Sequence, residues 1–185
     1  HDTCRRQRQM CIRDRWLCAH HRTRLHGTVV TAELSDMMWR DCYKVSSIER
    51  YPLAWDKRDI DTALDSWYVH DFGVPWNHHR WELTLHPAGH IPGAAMLHIK
   101  TPETTVLLTG DFDTRDSSLV RGAQPVKADI LFVEGTYGGR DHPPKEEEID
   151  RFTSAVEEVV KRGGTVLIPA FANGRTQDVV MMLSL

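Results

Sequence analysis

The sequence predicts an α/β fold, and three observations support that prediction. The chain has 185 residues, of which 41% are hydrophobic and 26% charged, as is usual for a globular domain. Apolar residues alternate with a two-residue period in the middle of the chain and follow a helical period on either side. Two short apolar segments, Ile130–Val133 and Val166–Ile168, flank the clearest helical pattern, which predicts a parallel strand–helix–strand unit.

The helical period predicts four helices. The first covers Glu33–Tyr43, after a β-branched run at Thr28–Thr31, and the second begins with Asp59 as its N-cap. The third begins at Lys145–Glu148, where acidic residues lie in its first turn. It has an apolar stripe along one face and ends at residues 161–163 with the sequence Lys-Arg-Gly. A fourth apolar helical pattern begins at Val179.

The short alternating or apolar runs that follow Trp81 predict strands. Residues 82–86 alternate between polar and apolar, and Met96–Lys100 does the same. Val106–Thr109 is apolar throughout, as expected for a strand covered on both faces. Together with the two strands around the third helix, these runs predict one sheet covered by helices.

Charge is distributed unevenly along the chain. The first 27 residues contain seven arginines and two aspartates, whereas the remainder contains 16 basic and 24 acidic residues. A basic arm can bind nucleic acid, but this one lacks the repeated aromatic residues of a recognition surface. Residues 1–26 are therefore interpreted as a solvated or foreign leader.

Cysteine content and hydropathy limit the class of protein. Four cysteines form a poor disulfide framework, and Cys4, Cys11 and Cys18 lack the close pairwise spacing of a structural zinc site. These features indicate a reducing compartment, so we expect a cytoplasmic protein. No segment approaches the roughly 20 apolar residues of a membrane helix, and no membrane association is expected.

Two turns place metal-ligand residues directly after predicted strands. The first, AGHIPGAAM at residues 88–96, presents His90 between glycines that allow a tight turn. The second, TGDF at residues 109–112, places Asp111 at the end of an apolar strand. An imidazole and a carboxylate at neighbouring strand ends suit a divalent metal, although each turn alone is a weak signal.

Two later segments, taken together with these two turns, form a specific pattern of motifs. EGTYG at residues 134–138 is followed by His142, and IPAFANGRTQD occupies residues 168–178. In this order and spacing the four motifs resemble the β-CASP branch of the metallo-β-lactamase superfamily, which includes ribonuclease J and the endonuclease of the cleavage and polyadenylation machinery. The resemblance covers about residues 27–185 and is closest from Leu85 onward.

The resemblance implies a role for each candidate residue. His90 would be a metal ligand, and Asp111 would be the carboxylate that bridges two zinc ions. Glu134 would lie close to the metals and orient a histidine that acts on the leaving group. His142 and Arg175 would contact the phosphate groups of the substrate or support the residues that do. The alternative is that both are ordinary polar residues of loops.

The resemblance also implies an architecture, and it implies that this chain is part of a longer protein. Residues 27–138 would be part of a metallo-β-lactamase αββα sandwich, and residues 139–185 would be the start of an inserted β-CASP domain. The superfamily motif His-x-His-x-Asp-His is absent from this sequence, and Gly135 replaces the usual serine. We therefore expect an internal fragment of a longer enzyme, inactive on its own.

The implied function is zinc-dependent hydrolysis of RNA phosphodiester bonds in RNA processing, by an endoribonuclease or a 5′-exoribonuclease. Two metal ions would neutralise the phosphodiester and lower the pKa of a water molecule. Single-stranded RNA is the expected partner, with a homodimer or a processing complex as the assembly. Three alternatives stay open: a lactamase or glyoxalase type of hydrolase, a non-catalytic β-CASP scaffold that binds RNA, and a DNA-directed nuclease.

Overall fold

The structure is a computed structural model that describes residues 20–21 and 23–184. In chain order, the helices and strands over residues 23–184 are β1 Leu25–Gly27, α1 Val29–Ile48, α2 Lys57–Leu64, β2 Trp67–Val69, β3 Trp76–His78, β4 Trp81–Pro87, β5 Ala95–Lys100, β6 Thr105–Leu108, β7 Ile130–Phe132, α3 Lys145–Lys161 and α4 Arg175–Leu183.

The strands form two sheets. A five-stranded sheet has the order β3-β4-β5-β6-β7. The pairs from β3 to β6 are antiparallel, and β7 is parallel to β6. A two-stranded parallel sheet pairs β1 with β2. The fold is mixed α/β, so the predicted class is confirmed.

The N-terminal helices begin earlier than the sequence patterns predict. Thr28 is the N-cap of α1, and its hydroxyl accepts a hydrogen bond from the Thr31 amide. Asp56, rather than Asp59, caps α2. Asp59 is the third residue of that helix, and its carboxylate accepts from the Asp56 amide in a capping box. The prediction of Asp59 as the N-cap was wrong. The two aspartates form one capping box, in which Asp56 is the N-cap and Asp59 bonds back to it.

The first hydrophobic core lies between the two N-terminal helices and the small sheet. Its buried members are Trp39 of α1, Ile60 and Ala63 of α2, and Trp55 of the connecting loop. Ile60 has no exposed surface at all. This core attaches α1 and α2 to one face of β1 and β2, because Leu25 and Trp67 pack against it.

Replacing Ile60 with alanine is expected to reduce the free energy of unfolding by about 2–5 kcal/mol, since the deletion leaves a cavity in a closed site. Urea denaturation followed by circular dichroism measures the change. Ile48→Ala is the matched control, because Ile48 is 70% exposed and its truncation removes little buried surface. Equal midpoints for the two variants would contradict this assignment of the core.

A second core supports one face of the large sheet. Met96 of β5 and Leu107 of β6 are buried together with Ala88 and Ala123, which belong to loops. Phe112, Val126 and Ala128 pack against this cluster. Because loop residues help to form it, the same core that stabilises the sheet also fixes the loops that follow β4 and β6.

The predicted strand at Val166–Ile168 is wrong. Residues 164–171 have no regular secondary structure, and Leu167 is 88% exposed. A strand requires a hydrogen-bonded neighbour, and within the described residues none pairs with this segment. The predicted parallel strand–helix–strand unit is therefore not formed, although Ile130–Phe132 is a strand and α3 has the predicted bounds.

Most of the arginine-rich leader lies outside the described residues, as do Cys4, Cys11 and Cys18. Leu25 and His26 belong to β1, so the ordered sheet begins just before the boundary predicted at residue 27. The division into 27–138 and 139–185 stays a prediction. Among the residues described, no helix combines the length and the apolar character needed to cross a membrane.

Candidate functional site

Three of the candidate residues leave the large sheet at one edge. Strands β4, β6 and β7 run in the same direction, since β5 is antiparallel to both β4 and β6, and β7 is parallel to β6. His90 follows β4, Asp111 follows β6 and Glu134 follows β7. The topology therefore brings these three side chains to the same end of the sheet, as the sequence motifs predicted.

The loop that carries His90 is held by its own backbone and by the next loop. The Ala88 amide donates to the Ala94 carbonyl, and the Ala94 amide donates to the Ile91 carbonyl, both over 3.0 Å. The Asp113 amide donates to the Ala88 carbonyl over 3.0 Å, which joins this loop to the one that carries Asp111. His90 itself is half-buried.

Gly89 allows these two loops to approach each other. Its φ is +69°, and a β-carbon there would lie 2.3 Å from the Asp113 carbonyl oxygen and 2.5 Å from the Ala123 nitrogen. The Ala123 amide donates to the same Asp113 carbonyl over 2.8 Å. A glycine is required here by both the backbone angle and the contact distance.

Glu134 is bound to the loop that carries Asp111. One carboxylate oxygen accepts from the Phe112 amide over 3.1 Å, and the other accepts from the Thr136 hydroxyl over 2.5 Å. The Thr136 hydroxyl and then the Phe112 amide lower the pKa of Glu134, and the charge of His90 makes a smaller contribution in the same direction. Glu134 is therefore an ionised carboxylate within electrostatic range of His90, and it is hydrogen-bonded to the residue that follows Asp111.

A cleft of about 1470 Å³ opens between the two sheets, and His90 and Asp111 line one side of it. The Gly93 turn and Asn173 also contribute to the wall. Asp111 is exposed, and together with Glu134 it also lines a shallower depression at the edge of the sheet. The candidate residues are thus open to a molecule in solution.

The far wall of this cleft contains histidines that the motifs did not indicate. His26 Nδ1 lies 2.9 Å from His70 Nε2, and both rings lie nearly parallel to Trp76. Burial is the main cause that lowers the pKa of each, and neighbouring His70 and His78 add to the effect at His26. These imidazoles are therefore mainly neutral at pH 7. His26 lies in β1 and His70 directly follows β2, and both strands are too short to show a sequence pattern.

His142 and Arg175 line a second, smaller pocket of about 300 Å³, which also includes His90. The His142 ring contacts Tyr137 edge to face, with 4.7 Å between ring centres. Arg175 Nη1 lies 3.8 Å from the carboxylate of Asp178, which is only 7% exposed. The structure thus brings both residues near His90, while their predicted contact with substrate stays a prediction.

The side chains of His90 and Asp111 offer the kinds of atom that bind a divalent metal. Imidazole nitrogen and carboxylate oxygen are usual ligands of zinc, and His90 and Asp111 line the same cleft. The number of donors is smaller than a closed site needs, because residues 20–21 and 23–184 contain no group of three or more His, Cys, Asp or Glu side chains arranged to hold a metal. Any such site would need ligands from outside the described chain.

Comparison with known proteins decides the family. The chain is 38% identical over 163 residues to "Cleavage and polyadenylation specificity factor subunit 3" of Dictyostelium discoideum, a match that covers 86% of this chain and 21% of the relative. It is 30% identical over 165 residues to "RNase aCSPSF2" of Saccharolobus solfataricus, which covers 88% and 33%. The chain belongs to the β-CASP family of the metallo-β-lactamase superfamily.

A third β-CASP relative is "Endoribonuclease ysh1" of Schizosaccharomyces pombe, which is 29% identical over 164 residues, covering 88% of this chain and 22% of the relative. The chain therefore spans between a fifth and a third of the length of these three proteins. No family model matches the chain. Metal dependence is a property of its β-CASP relatives, and the individual roles of His90, Asp111 and Glu134 stay predictions.

Proposed function

We propose that this chain is part of a zinc-dependent hydrolase that cleaves phosphodiester bonds in RNA. The observation that supports this most directly is the arrangement of His90, Asp111 and Glu134 at one end of the sheet, in a chain related to proteins named as ribonucleases. In this proposal the described sheets are part of an αββα sandwich, and residues 139–185 begin the inserted β-CASP domain.

His90 and Asp111 would hold the metal, for which we propose zinc. When bound, the zinc supplies positive charge toward the phosphodiester and a lowered pKa for a water molecule. Glu134 keeps the loop of Asp111 in place through the Phe112 amide and carries a negative charge beside His90. A carboxylate in this position is suited to stabilise the imidazolium of a further histidine, not the metal ligand His90, that would donate a proton to the leaving oxygen.

The proposed substrate is single-stranded RNA, bound along the cleft and past His142 and Arg175. The "Endoribonuclease" name of one relative favours internal cleavage over removal of nucleotides from the 5′ end. The names of the relatives also favour work within a processing complex, and a homodimer is the other assembly proposed. The proposed location is the cytoplasm.

Cleavage tests the proposed function directly. The protein used is a polypeptide of the relatives' length that contains this chain. It is incubated with zinc and an end-labelled single-stranded RNA. The cleavage products are expected to have 3′-hydroxyl and 5′-phosphate ends. Asp111→Asn is expected to abolish cleavage. RNA binding without cleavage would instead favour the scaffold alternative. Preferential cleavage of DNA of the same sequence would favour a DNA-directed nuclease.

The 185-residue chain alone is expected to bind zinc weakly. His90 and Asp111 are two ligands, whereas a closed dinuclear site needs several more. Isothermal titration calorimetry measures the affinity and stoichiometry, and His90→Ala is expected to weaken the binding further. Tight binding of two zinc ions to each chain would contradict this prediction, because it would show that the 185 residues already supply enough ligands for the site.

A further inference from the structure

We propose that Thr31, together with Thr28, is a positioning residue for His90. Neither threonine belongs to a motif that carries the family resemblance, and both lie more than 60 residues before the loop that they contact. They act on the carbonyl of Gly93, three residues after His90. The inference rests on the proposed function only in so far as His90 is a metal ligand.

Two hydroxyl groups hold one carbonyl oxygen. Thr28 Oγ1 donates to the Gly93 oxygen over 3.1 Å, and Thr31 Oγ1 donates to the same oxygen over 3.0 Å. A carbonyl oxygen has two lone pairs, so it accepts both bonds. Thr28 is buried, with 5% of its surface exposed, so solvent does not readily replace its contribution.

The position of the two threonines is itself fixed by a helix. Thr28 is the N-cap of α1, and Thr31 is the third residue of that helix, so the two side chains share one face of its first turn. The Thr28 hydroxyl also accepts from the Thr31 amide over 3.2 Å. Because α1 is attached to the first core through Trp39, the Gly93 carbonyl is held by a rigid element.

The loop is shaped to receive this helix end. Gly93 has a φ of +85°, and a β-carbon there would lie 3.0 Å from Thr31 Oγ1 and 3.1 Å from Val30 Cβ. The next residue, Ala94, bonds back to Ile91 and receives the Ala88 amide. Fixing the Gly93 carbonyl therefore fixes the closing end of the same short turn that carries His90.

This contact also joins the two parts of the fold at the site. Strand β1 and helix α1 belong to the small sheet and the first core, whereas the His90 loop belongs to the large sheet. A β-carbon at Gly174 would lie 2.6 Å from Ile91 Cγ2, so the turn before α4 also packs against the loop. Both contacts fall within three residues of His90.

Hydrogen exchange in the 185-residue chain tests the inference. Thr31→Val removes the hydroxyl but keeps the branched shape, and Thr28 stays in place because it also caps α1. We expect the Ala88 and Ala94 amides to exchange about three- to tenfold faster, as for loss of one hydrogen bond. Thr31→Ser is expected to restore wild-type exchange. Thr153→Val is the matched control, because the Thr153 hydroxyl bonds only within α3.

Zinc binding to the same variants gives a second readout. If His90 is a ligand, Thr31→Val is expected to weaken zinc binding about three- to tenfold, and Thr31→Ser to restore it. Wild-type exchange at Ala88 and Ala94 in Thr31→Val would overturn the positioning role, as would failure of the serine to restore protection. Unchanged zinc affinity in His90→Ala would instead overturn the proposed metal role of His90, and faster exchange in Thr31→Val would still establish the contact.

Discussion

Replacing Glu134 with glutamine is expected to lower the rate of RNA cleavage by a factor on the order of 10²–10⁴, while the protein keeps its fold and its metal. The loss follows from the charge. Glu134 is an ionised carboxylate, and a neutral amide cannot stabilise in the same way the imidazolium of the leaving-group histidine, which is a residue other than the proposed metal ligand His90.

The hydrogen bonds around Glu134 explain why glutamine should be tolerated structurally. The amide oxygen of a glutamine can accept from the Phe112 amide, and its NH₂ group can donate to the Thr136 hydroxyl, which rotates to accept. The loop of Asp111 therefore keeps its support. Glu134→Ala removes both bonds, so it is expected to loosen that loop and to reduce metal binding as well.

Single-turnover cleavage of a labelled RNA, combined with metal analysis, separates these outcomes in a polypeptide of the relatives' length built around this chain. Asp111→Asn serves as the control that loses metal. A glutamine variant with the wild-type rate would remove Glu134 from the mechanism. A glutamine variant without metal would make Glu134 a ligand in its own right.

Gly89→Ala is expected to lower the free energy of unfolding strongly, because two separate costs add at this position. The left-handed backbone angle costs about 1–3 kcal/mol for a residue with a β-carbon, and overpacking against fixed backbone costs about 1–3 kcal/mol more. The contacted atoms are the Asp113 carbonyl and the Ala123 amide, which cannot move aside like a flexible side chain. Their mutual hydrogen bond should break, and the bond from the Asp113 amide to the Ala88 carbonyl, which joins the loops of His90 and Asp111, should weaken.

Gly73→Ala is the matched control for this experiment. Gly73 has a φ of +74°, close to that of Gly89, but a β-carbon there would meet no atom within 4 Å. It therefore incurs the cost of the backbone angle alone. Urea denaturation of both variants measures the difference, and the change in Gly89→Ala should exceed that in Gly73→Ala by about 1–3 kcal/mol. Equal changes would show that the two loops separate without penalty.

Local sequence patterns predicted those elements whose formation depends on local interactions. Helix α3 has acidic residues in its first turn and an apolar stripe, and both its ends match the prediction. Strands β4 to β7 carry alternating or apolar runs and were also predicted. Val166–Ile168 has an equally apolar sequence, but a strand depends on a partner that the segment itself does not contain. The three-residue strands β1, β2 and β3 are too short to produce a period.

The same distinction applies to the candidate site. His90 and Asp111 were found because each follows a recognisable strand, and Glu134 was found through the family motif that contains it. The common direction of β4, β6 and β7 then brings the three together. Thr28 and Thr31 were read as a β-branched run, since nothing in the local sequence indicates a contact with Gly93. Only the contact between the first turn of α1 and the loop after β4 reveals it.

Strand β7 has a consequence for the behaviour of the chain at high concentration. It is the last strand of the sheet within the described residues, and Ile130, Leu131 and Phe132 are 45%, 56% and 61% exposed. An apolar edge of this kind is a template on which a second molecule can add a strand. Asp129 lies ahead of the run and Glu134 lies beyond it, and like charges on two approaching edges repel. Hydrogen bonds from Thr105 lower the pKa of Asp129 and those from Thr136 and Phe112 lower that of Glu134, so this electrostatic protection against self-association persists to lower pH than ordinary carboxylates would allow.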